Sequence, residues 1–333
     1  MNVVITGGAG FLGRLLARTL LDQGSLSVAG GPAEPVTALT LLDQIEISPD
    51  ELADPRLRSL AVDLSAAGPA ALAELPAVAG ADVVFHLAAA VSGECEADFD
   101  LGLRVNLDAG RALLEALRRG GRCPVAVFAS SLAVYGGWPD LPLPPVVTDE
   151  TMPTPRSSYG IQKFMMEQLV ADYTRKGFLR GRTVRLMTVV VRPGRPNAAA
   201  SSFLSSIIRE PLAGLPASCP VSPDLPVAVS SPESSIAGLV RAAAASPSEW
   251  GAAVAVNLPA VETTVGGMVA ALAAIAGPAT ARLIRWEPDE QIAAVVGSWP
   301  ARFETARARK LGLSADPDFE TIVRRYRAEH AAP

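Results

Sequence analysis

The chain has 333 residues, of which 49% are hydrophobic and 19% are charged. This composition is typical of a folded globular protein and excludes a largely disordered chain. The net charge of -5 and the isoelectric point near 5.3 argue against a basic surface for nucleic acid.

Cysteine usage and the apolar stretches indicate the compartment. The three cysteines, Cys95, Cys123 and Cys219, are odd in number and lack the spacing of metal ligands, which suits a reducing compartment. The chain enters an apolar strand at Asn2 without a basic leader, and its apolar stretches at 83–91 and 268–276 are too short to span a bilayer. We therefore expect a cytoplasmic protein that binds no membrane, no nucleic acid and no metal.

The predicted elements alternate between strand and helix as far as residue 193. A β-branched run at 2–6 predicts the first strand, and leucines on one face of 11–21 predict a helix that ends at Gly24. Further strands are predicted at 36–43, 57–64, 81–89, 124–131 and 182–193, and further helices at 109–119 and around 157–170. Near-continuous apolar strands between helices indicate an α/β fold with a doubly wound parallel sheet.

The segment TGGAGFLG joins the first predicted strand to the first helix. Its glycines, Gly7, Gly10 and Gly13, have the spacing G-x-x-G-x-x-G. Gly7 permits the tight turn, Gly10 lets the backbone approach a pyrophosphate, and Gly13 allows the helix to pack close to the strand. Phosphates would then meet the positive end of the helix. In this context the pattern predicts a dinucleotide-binding loop rather than an ordinary strand–helix turn.

Asp43 ends the second predicted strand, where a carboxylate can accept hydrogen bonds from an adenosine ribose. It lies 30 residues after Gly13, later than the usual ~20, because the loop at 25–35 is long. A carboxylate there repels a 2′-phosphate and so favours NAD over NADP. The alternative, a solvated aspartate at a strand end, stays open. Asp63 is a second candidate, for the adenine edge.

Tyr159 and Lys163 are four residues apart on a predicted helix. A free phenol has a pKa of about 10, too high for a good base at neutral pH, and a nearby ammonium stabilises the phenolate. The pattern Y-x-x-x-K is common by chance, and Lys163 alone would be read as a surface charge. Ser131, just beyond a buried strand, favours a proton-transfer site because its hydroxyl can orient a substrate oxygen.

Together these motifs resemble the short-chain dehydrogenase/reductase superfamily, in its extended, epimerase/dehydratase-like branch. The resemblance covers almost the whole chain through TGGAGFLG, Asp43, VDL at Asp63, HLAA at 86–89, Asn106, SSLAVYG and YGIQK. It implies a Rossmann-type sheet, with Tyr159 as acid/base, Lys163 lowering the pKa of Tyr159 and holding the ribose hydroxyls, and Ser131 orienting the reacting oxygen.

The same resemblance implies a set of contacts to NAD. Besides Tyr159 and Lys163, these come from Gly7, Gly10, Phe11, Leu12, Gly13, Asp43, Asp63, Leu64, Leu87, Ala88, Ala89 and Asn106. A homodimer through the helices near Ala109 and Met165 is also implied. His86 is expected to be a structural residue at a strand end.

Two departures from the branch argue against a nucleotide-sugar substrate. Its sugar-nucleotide dehydratases usually carry Thr-Asp-Glu where this chain has Ser131-Leu132-Ala133, and the Thr-Asp-Glu at 148–150 lies in a predicted loop. Thr188 stands where an asparagine commonly follows the sixth strand.

The residues after the sixth strand indicate an anionic substrate. Arg192, Arg195 and Asn197 cluster at the carboxyl end of the sheet, where ligands bind. Guanidinium groups pair with carboxylates through two hydrogen bonds, although these arginines could equally anchor a loop or a subunit contact. The segments at 188–214 and 296–312 resemble NAD-dependent dehydrogenases of four-carbon sugar acids. SSFLSSIIRE predicts a helix, and Trp299 is expected to serve as a packing residue.

We therefore expect an NAD-binding domain at 1–190 and a smaller, mixed substrate-binding region at 191–333, some of whose segments return to the first domain. The expected activity is oxidation of C2 of a small 2-hydroxy sugar acid, contacted by Ser131, Tyr159, Arg192, Arg195 and Asn197. One alternative is an NAD-retaining epimerase or dehydratase acting on a nucleotide sugar. Another is a cofactor-sensing protein on the same fold, although such sensors tend to lack the tyrosine or the lysine.

Overall fold

The computed structural model describes residues 1–48, 53–194 and 196–330. Within these ranges one parallel sheet of seven strands forms the centre of the fold. Its strands are β1 (Asn2–Thr6), β2 (Ala38–Asp43), β3 (Leu57–Ala61), β4 (Val83–His86), β5 (Val125–Ser131), β6 (Arg180–Leu186) and β7 (Val256–Asn257).

The strand order is β7-β6-β5-β4-β1-β2-β3, and every neighbouring pair is parallel. The order reverses between β1 and β4, which places the ligand crevice of a doubly wound sheet beyond the carboxyl ends of these two strands. The predicted Rossmann-type α/β fold is confirmed.

Helices cover both faces of the sheet. In the described ranges, those of ten or more residues are α1 (Phe11–Gln23), α2 (Leu64–Glu74), α3 (Ala109–Gly120), α4 (Ser158–Arg175), α5 (Phe203–Leu212), α6 (Pro232–Ala244), α7 (Val265–Ala276) and α8 (Phe319–His330). The shorter helices are Pro76–Ala79, Ser92–Ala97, Phe99–Gly102, Leu103–Asp108, Leu132–Val134, Pro247–Trp250, Pro278–Ala281, Glu290–Val296 and Ala306–Lys310. The strands outside the central sheet are Ser25–Ser27, Ala33–Pro35, Val147–Thr148, Thr188–Val189, Ala217–Cys219, Pro226–Ser230, Val261–Thr264, Ile284–Trp286 and Phe303–Glu304. None of the helices in the described part is long and apolar enough to cross a membrane.

Local sequence explains where the helices beside the crevice begin and end. α4 begins after Ser157, whose hydroxyl accepts a hydrogen bond from the Gly160 amide at 3.1 Å, as is usual for a serine N-cap. α1 ends at Gly24, which has the left-handed conformation that favours glycine. SSFLSSIIRE forms most of α5, as predicted.

Two apolar cores pack against the central sheet. In β1, Val3 and Ile5 point towards the core formed with α1 and α6, whereas Val4 points towards the core formed with α3 and α4. This alternation is the period of two of a β-strand. Both faces of β1 are buried because helices lie on both sides, and this explains its continuous apolar sequence.

The chain from residue 190 onwards forms a separate apolar cluster around α5, α7 and α8. Several later segments pack instead with the first 190 residues: α6 and the helix Ala306–Lys310 join the core with α1, and β7 pairs with β6. The domain boundary near residue 190 stays a prediction.

Three predicted strands end earlier than expected. The run at 182–193 is divided, because the central sheet holds it only to Leu186, and Thr188–Val189 pairs with Pro226–Ser230 in a second sheet. The run at 57–64 stops at Ala61, since Asp63 caps α2. The run at 81–89 is regular only over Val83–His86.

The predicted loop at 148–150 begins inside a short strand, Val147–Thr148, which pairs with Phe303–Glu304.

Candidate active site

The glycine loop after β1 packs against its neighbours more closely than side chains would allow. Gly7 has φ +69°, a conformation that favours glycine, and a Cβ on it would lie 2.7 Å from the Ala88 nitrogen. A Cβ on Gly13 would lie 2.3 Å from the Gly7 carbonyl oxygen. The N-cap of α1 is Gly10, which provides no side-chain cap. The first amides of α1 are thus available for a pyrophosphate, and the loop fits a dinucleotide.

Asp43 and Asp63 line the same cavity of about 360 Å³, together with Gly10, Leu64 and Ala88. One oxygen of Asp43 accepts a hydrogen bond from the Ala9 amide at 3.0 Å, so the carboxylate also ties β2 to the glycine loop. A carboxylate has capacity for further donors, such as ribose hydroxyls. Asp63 accepts hydrogen bonds from the Ser65 hydroxyl (2.6 Å) and amide (2.8 Å), and these lower the pKa of Asp63.

The loop after β4 lies between the cavity of Asp43 and Asp63, which we call the cofactor cavity, and a second cavity lined by Ser131, Tyr159 and Lys163, which we call the catalytic cavity. Leu87 and Ala89 line both cavities, and Ala88 lines the first. Asn106 lies behind this loop: it accepts a hydrogen bond from the Ala90 amide at 2.8 Å and donates to the Ala90 carbonyl and to Gln162. The Asn106 amide therefore bonds within the protein and supports the loop at Ala90, and its predicted contact with the cofactor stays a prediction.

Ser131, Tyr159 and Lys163 meet in the catalytic cavity, which measures about 300 Å³ and is also lined by Gly10, Phe11, Leu12 and Gly13. Lys163 is 3% exposed; its ammonium donates to the Ala129 carbonyl at 2.9 Å and lies 5.6 Å from the centre of the Tyr159 ring. Ser131 hydrogen-bonds with Tyr159, and its oxygen also accepts from the Ala133 amide at 3.1 Å. The predicted trio therefore forms one cluster.

Burial governs the ionisation of this cluster. It raises the pKa of Tyr159 to about 12, against the lowering effects of the Ser131 hydrogen bond and the Arg192 charge. It lowers the pKa of Lys163 to about 8, against the raising effect of the Glu167 charge. A bound nicotinamide cofactor supplies the hydride acceptor and a positive ring. Positive charge near Tyr159 favours its phenolate, so Tyr159 can take a proton from a hydroxyl held by Ser131.

A buried ion pair lies directly behind the trio. Glu167, one turn after Lys163 on α4, pairs with Arg185 of β6 at 2.6 Å, and the two side chains are 2% and 7% exposed. Glu167 also accepts from the Ser130 hydroxyl at 2.5 Å. Arg185 donates to the Tyr135 hydroxyl, which in turn donates to Asn257 of β7. This network joins the catalytic helix to three neighbouring strands.

Arg192 lines the catalytic cavity on the substrate side. Its backbone is fixed by the Ser205 hydroxyl and by Arg209, and its charge acts on Tyr159, lowering the pKa of the phenol. In the described ranges its guanidinium has no carboxylate partner. Asn197 lines the same cavity and accepts from the Ala199 amide. Arg195 lies outside the described residues, so its predicted role stays a prediction.

The structure adds lining residues that were not predicted from the sequence. Glu94 accepts a hydrogen bond from the Val91 amide at 2.9 Å and lines the cofactor cavity. Trp299 packs beside Leu132 and Met187 as a packing residue should, and it also lines the catalytic cavity. Glu94 belongs to a six-residue helix with no apolar periodicity that would have revealed it.

His86 is a buried structural residue, as expected. One ring nitrogen lies 2.7 Å from the Thr6 hydroxyl, and burial lowers the pKa of the imidazole to about 3. The ring is therefore neutral at physiological pH. Within the described ranges no group of three or more His, Cys, Asp or Glu side chains could hold a metal ion.

Known proteins are similar to this chain in sequence and fold. Residues 3–225 match the model of the NAD dependent epimerase/dehydratase family. Two proteins named D-erythronate dehydrogenase, from Cupriavidus necator and Haemophilus influenzae, are 50% and 41% identical over 327 residues, which cover 98% of this chain and 98% of each relative.

Solved structures of other proteins have the same fold. The crystal structure of a nucleoside-diphosphate-sugar epimerase from Agrobacterium tumefaciens has a TM-score of 0.88 and 40% identity, covering 99% of this chain and 94% of that one. An L-threonine dehydrogenase from Cupriavidus necator, at 20% identity and a TM-score of 0.84, covers 99% of each chain and shares the fold. With its glycine loop, its Ser131–Tyr159–Lys163 cluster and these matches, the chain belongs to the NAD dependent epimerase/dehydratase family of extended short-chain dehydrogenases/reductases and is an oxidoreductase that uses a nicotinamide cofactor.

Proposed function

We propose that this enzyme oxidises C2 of D-erythronate, a four-carbon 2-hydroxy acid, to 2-oxo-D-erythronate with NAD+ as the oxidant. The observation that carries the proposal is Arg192, which faces the catalytic cavity beside Tyr159 and has no carboxylate partner in the described part of the chain. A guanidinium in this position favours the binding of an anionic substrate. The name shared by relatives at 50% and 41% identity supplies the particular acid.

In this proposal each residue has one task. Arg192 binds the substrate carboxylate, with help from Asn197, and thereby places C2 beside Tyr159. Ser131 donates a hydrogen bond to the oxygen on C2. Tyr159 takes the proton of the C2 hydroxyl as C2 gives up a hydride. Lys163 contributes its positive charge, which favours the Tyr159 phenolate. The small catalytic cavity, about 300 Å³, suits a four-carbon acid.

The choice of NAD over NADP rests on Asp43. Its carboxylate lies at the end of β2 in the cofactor cavity, held by the Ala9 amide. There the carboxylate accepts hydrogen bonds from the ribose hydroxyls of NAD, whereas it would repel the 2′-phosphate of NADP.

We also infer a homodimer in the cytoplasm. The large apolar side chains Phe99, Ile161 and Met165 are exposed on Phe99–Gly102 and α4, the region expected to form the subunit contact, and a second copy would cover them. Cys95, Cys123 and Cys219 are all free thiols, which accords with a reducing compartment.

The proposal is tested by following the absorbance of reduced cofactor with the purified enzyme and NAD+. The panel contains D-erythronate, D-threonate as its C2 epimer, erythritol as the neutral polyol, L-threonine and UDP-glucose. We expect oxidation of D-erythronate and little turnover of erythritol. The nucleoside-diphosphate-sugar epimerase at 40% identity makes a nucleotide sugar the second candidate. Epimerisation of UDP-glucose, followed by chromatography because an NAD-retaining epimerase accumulates no reduced cofactor, without oxidation of any four-carbon acid would favour that candidate and contradict ours.

A further inference from the structure

A larger chamber of about 730 Å³ lies next to the catalytic cavity. Its walls include the helix Ser92–Ala97, the loop at 196–200 and the start of α5. Three residues line both spaces: Ser92, Asn197 and Ala199. They form the partition between the place where the substrate reacts and the chamber beyond it.

Close contacts hold the partition shut. The Ala200 amide donates to the buried Ser92 hydroxyl at 3.0 Å. A Cβ on Gly93 would lie 2.1 Å from the Ala198 carbonyl oxygen, so the loop rests directly on the helix backbone. We call this contact between residues 92–93 and 197–200 the clasp. Because an added methyl group has no space there, the loop must lift if Gly93 gains a side chain.

The chamber suits a hydroxylated tail better than a phosphate. Its polar lining includes Ser206, Ser218 and Gln291, with two carboxylates from Glu96 and Glu210. Among the described residues that line it there is no lysine, arginine or histidine. Glu210 pairs with Arg209 at 2.6 Å, so it is the Glu96 carboxylate that would repel a diphosphate, whereas hydroxyl groups can hydrogen-bond with both carboxylates.

Trp299 forms another wall of the catalytic cavity, and it also borders a surface groove. That groove is lined mainly by proline and apolar residues, such as Pro142 and Pro144. A polyol tail finds few partners there. The chamber behind the clasp is therefore the space that could accommodate a longer substrate.

We propose that the clasp limits the chain length of the sugar acid, with Gly93 as a specificity-determining residue. This inference rests on the proposed function. With the clasp closed, acids of about four carbons fit beside Arg192 and Tyr159. With it open, the tail of a six-carbon acid extends into the chamber.

The test compares kcat/KM for D-erythronate and for D-gluconate, a six-carbon acid. The wild-type enzyme should strongly prefer D-erythronate. Gly93→Ala should raise the ratio of D-gluconate to D-erythronate efficiency by roughly tenfold or more, the scale on which pocket size discriminates between substrates. Ser92→Ala, which removes the hydrogen bond without adding bulk, should shift the ratio in the same direction.

Gly120→Ala is the matched control, because Gly120 also lies in a helix but an added Cβ would be 4.0 Å from its nearest neighbour, the Ala79 carbonyl. It should leave the ratio unchanged. If Gly93→Ala does not fold, Ser92→Ala decides the question. An unchanged ratio in the folded clasp variants overturns the inference while D-erythronate oxidation stands. A gain of D-gluconate activity in Trp299→Ala alone, or in the wild type, also overturns it. A wild-type enzyme that oxidises no sugar acid removes the proposed function and this inference with it.

Discussion

Replacing Arg192 with methionine tests how the enzyme recognises its substrate. Methionine keeps an unbranched apolar stem of similar reach and removes the guanidinium. The backbone of residue 192 should stay in place, because it is fixed by the Ser205 hydroxyl and by Arg209 rather than by its own side chain. The change therefore removes a charge from the cavity with little other disturbance.

The magnitude follows from the interaction that is lost. A hydrogen bond to a charged group contributes about 1.5–3 kcal/mol, and about 1.4 kcal/mol corresponds to a factor of ten in affinity. The Arg192 side chain is only partly buried, so solvent weakens the contact and the lower half of that range applies. The KM for D-erythronate should rise about 10- to 40-fold.

The same substitution should also change the pH dependence. The Arg192 charge lowers the pKa of Tyr159, so its removal raises the pKa of the phenol. A general base works only when deprotonated, and the acid limb of the kcat/KM profile should move to higher pH.

Steady-state kinetics across pH measure both effects. Arg18→Met is the control, since Arg18 is exposed on α1 and pairs only loosely with Asp22 at 3.8 Å; it should leave both quantities unchanged. An Arg192→Met enzyme with wild-type KM and an unmoved acid limb would refute the assignment of Arg192 to the substrate carboxylate.

Three further predictions concern the proton, the cofactor and the core. Tyr159→Phe should lower kcat by ~10² to 10⁴-fold, with NAD affinity in a fluorescence titration nearly unchanged; near wild-type turnover would contradict it. Asp43→Ala should narrow the preference for NAD+ over NADP+ in kcat/KM, whereas equal efficiency with both cofactors in the wild type would show that Asp43 does not select. Glu167→Gln leaves the Arg185 charge buried without its partner and should lower the free energy of unfolding in urea by about 3–5 kcal/mol. Glu320→Gln, which breaks an exposed pair with Arg324, should have little effect, and an equally small effect of Glu167→Gln would contradict the prediction.

The sequence was sufficient to predict the sheet and the residues Ser131, Tyr159 and Lys163 that lie together in one cavity, because both depend on local patterns. Strands buried on both faces are apolar throughout, and the glycine loop, Ser131 and the Tyr159–Lys163 pair each stand in a short motif. Strand ends were harder to predict. Nothing in the run at 182–193 shows that the chain leaves the central sheet after Leu186, because Thr188–Val189 finds its partner about 40 residues later.

Contacts between distant segments could not be predicted from local patterns. The clasp depends on a hydrogen bond between residues 108 positions apart, and Asn106 bonds with the loop at Ala90 and with Gln162. Arg185 did carry a signal. A charged residue within a buried strand needs a buried partner, but the sequence alone does not show that the partner of Arg185 is Glu167.

The position of that partner connects the core to the chemistry. Tyr159, Lys163 and Glu167 follow one another at intervals of four residues on α4 and so lie along one face of the helix. Burial lowers the pKa of Lys163, and the Glu167 charge opposes this shift. Burial of an unpaired Glu167 carboxylate would destabilise the fold. Arg185 offsets this cost by forming an ion pair with Glu167. The Glu167–Arg185 pair thus lies outside the cavity but acts on the pKa of Lys163, the residue that we propose favours the Tyr159 phenolate.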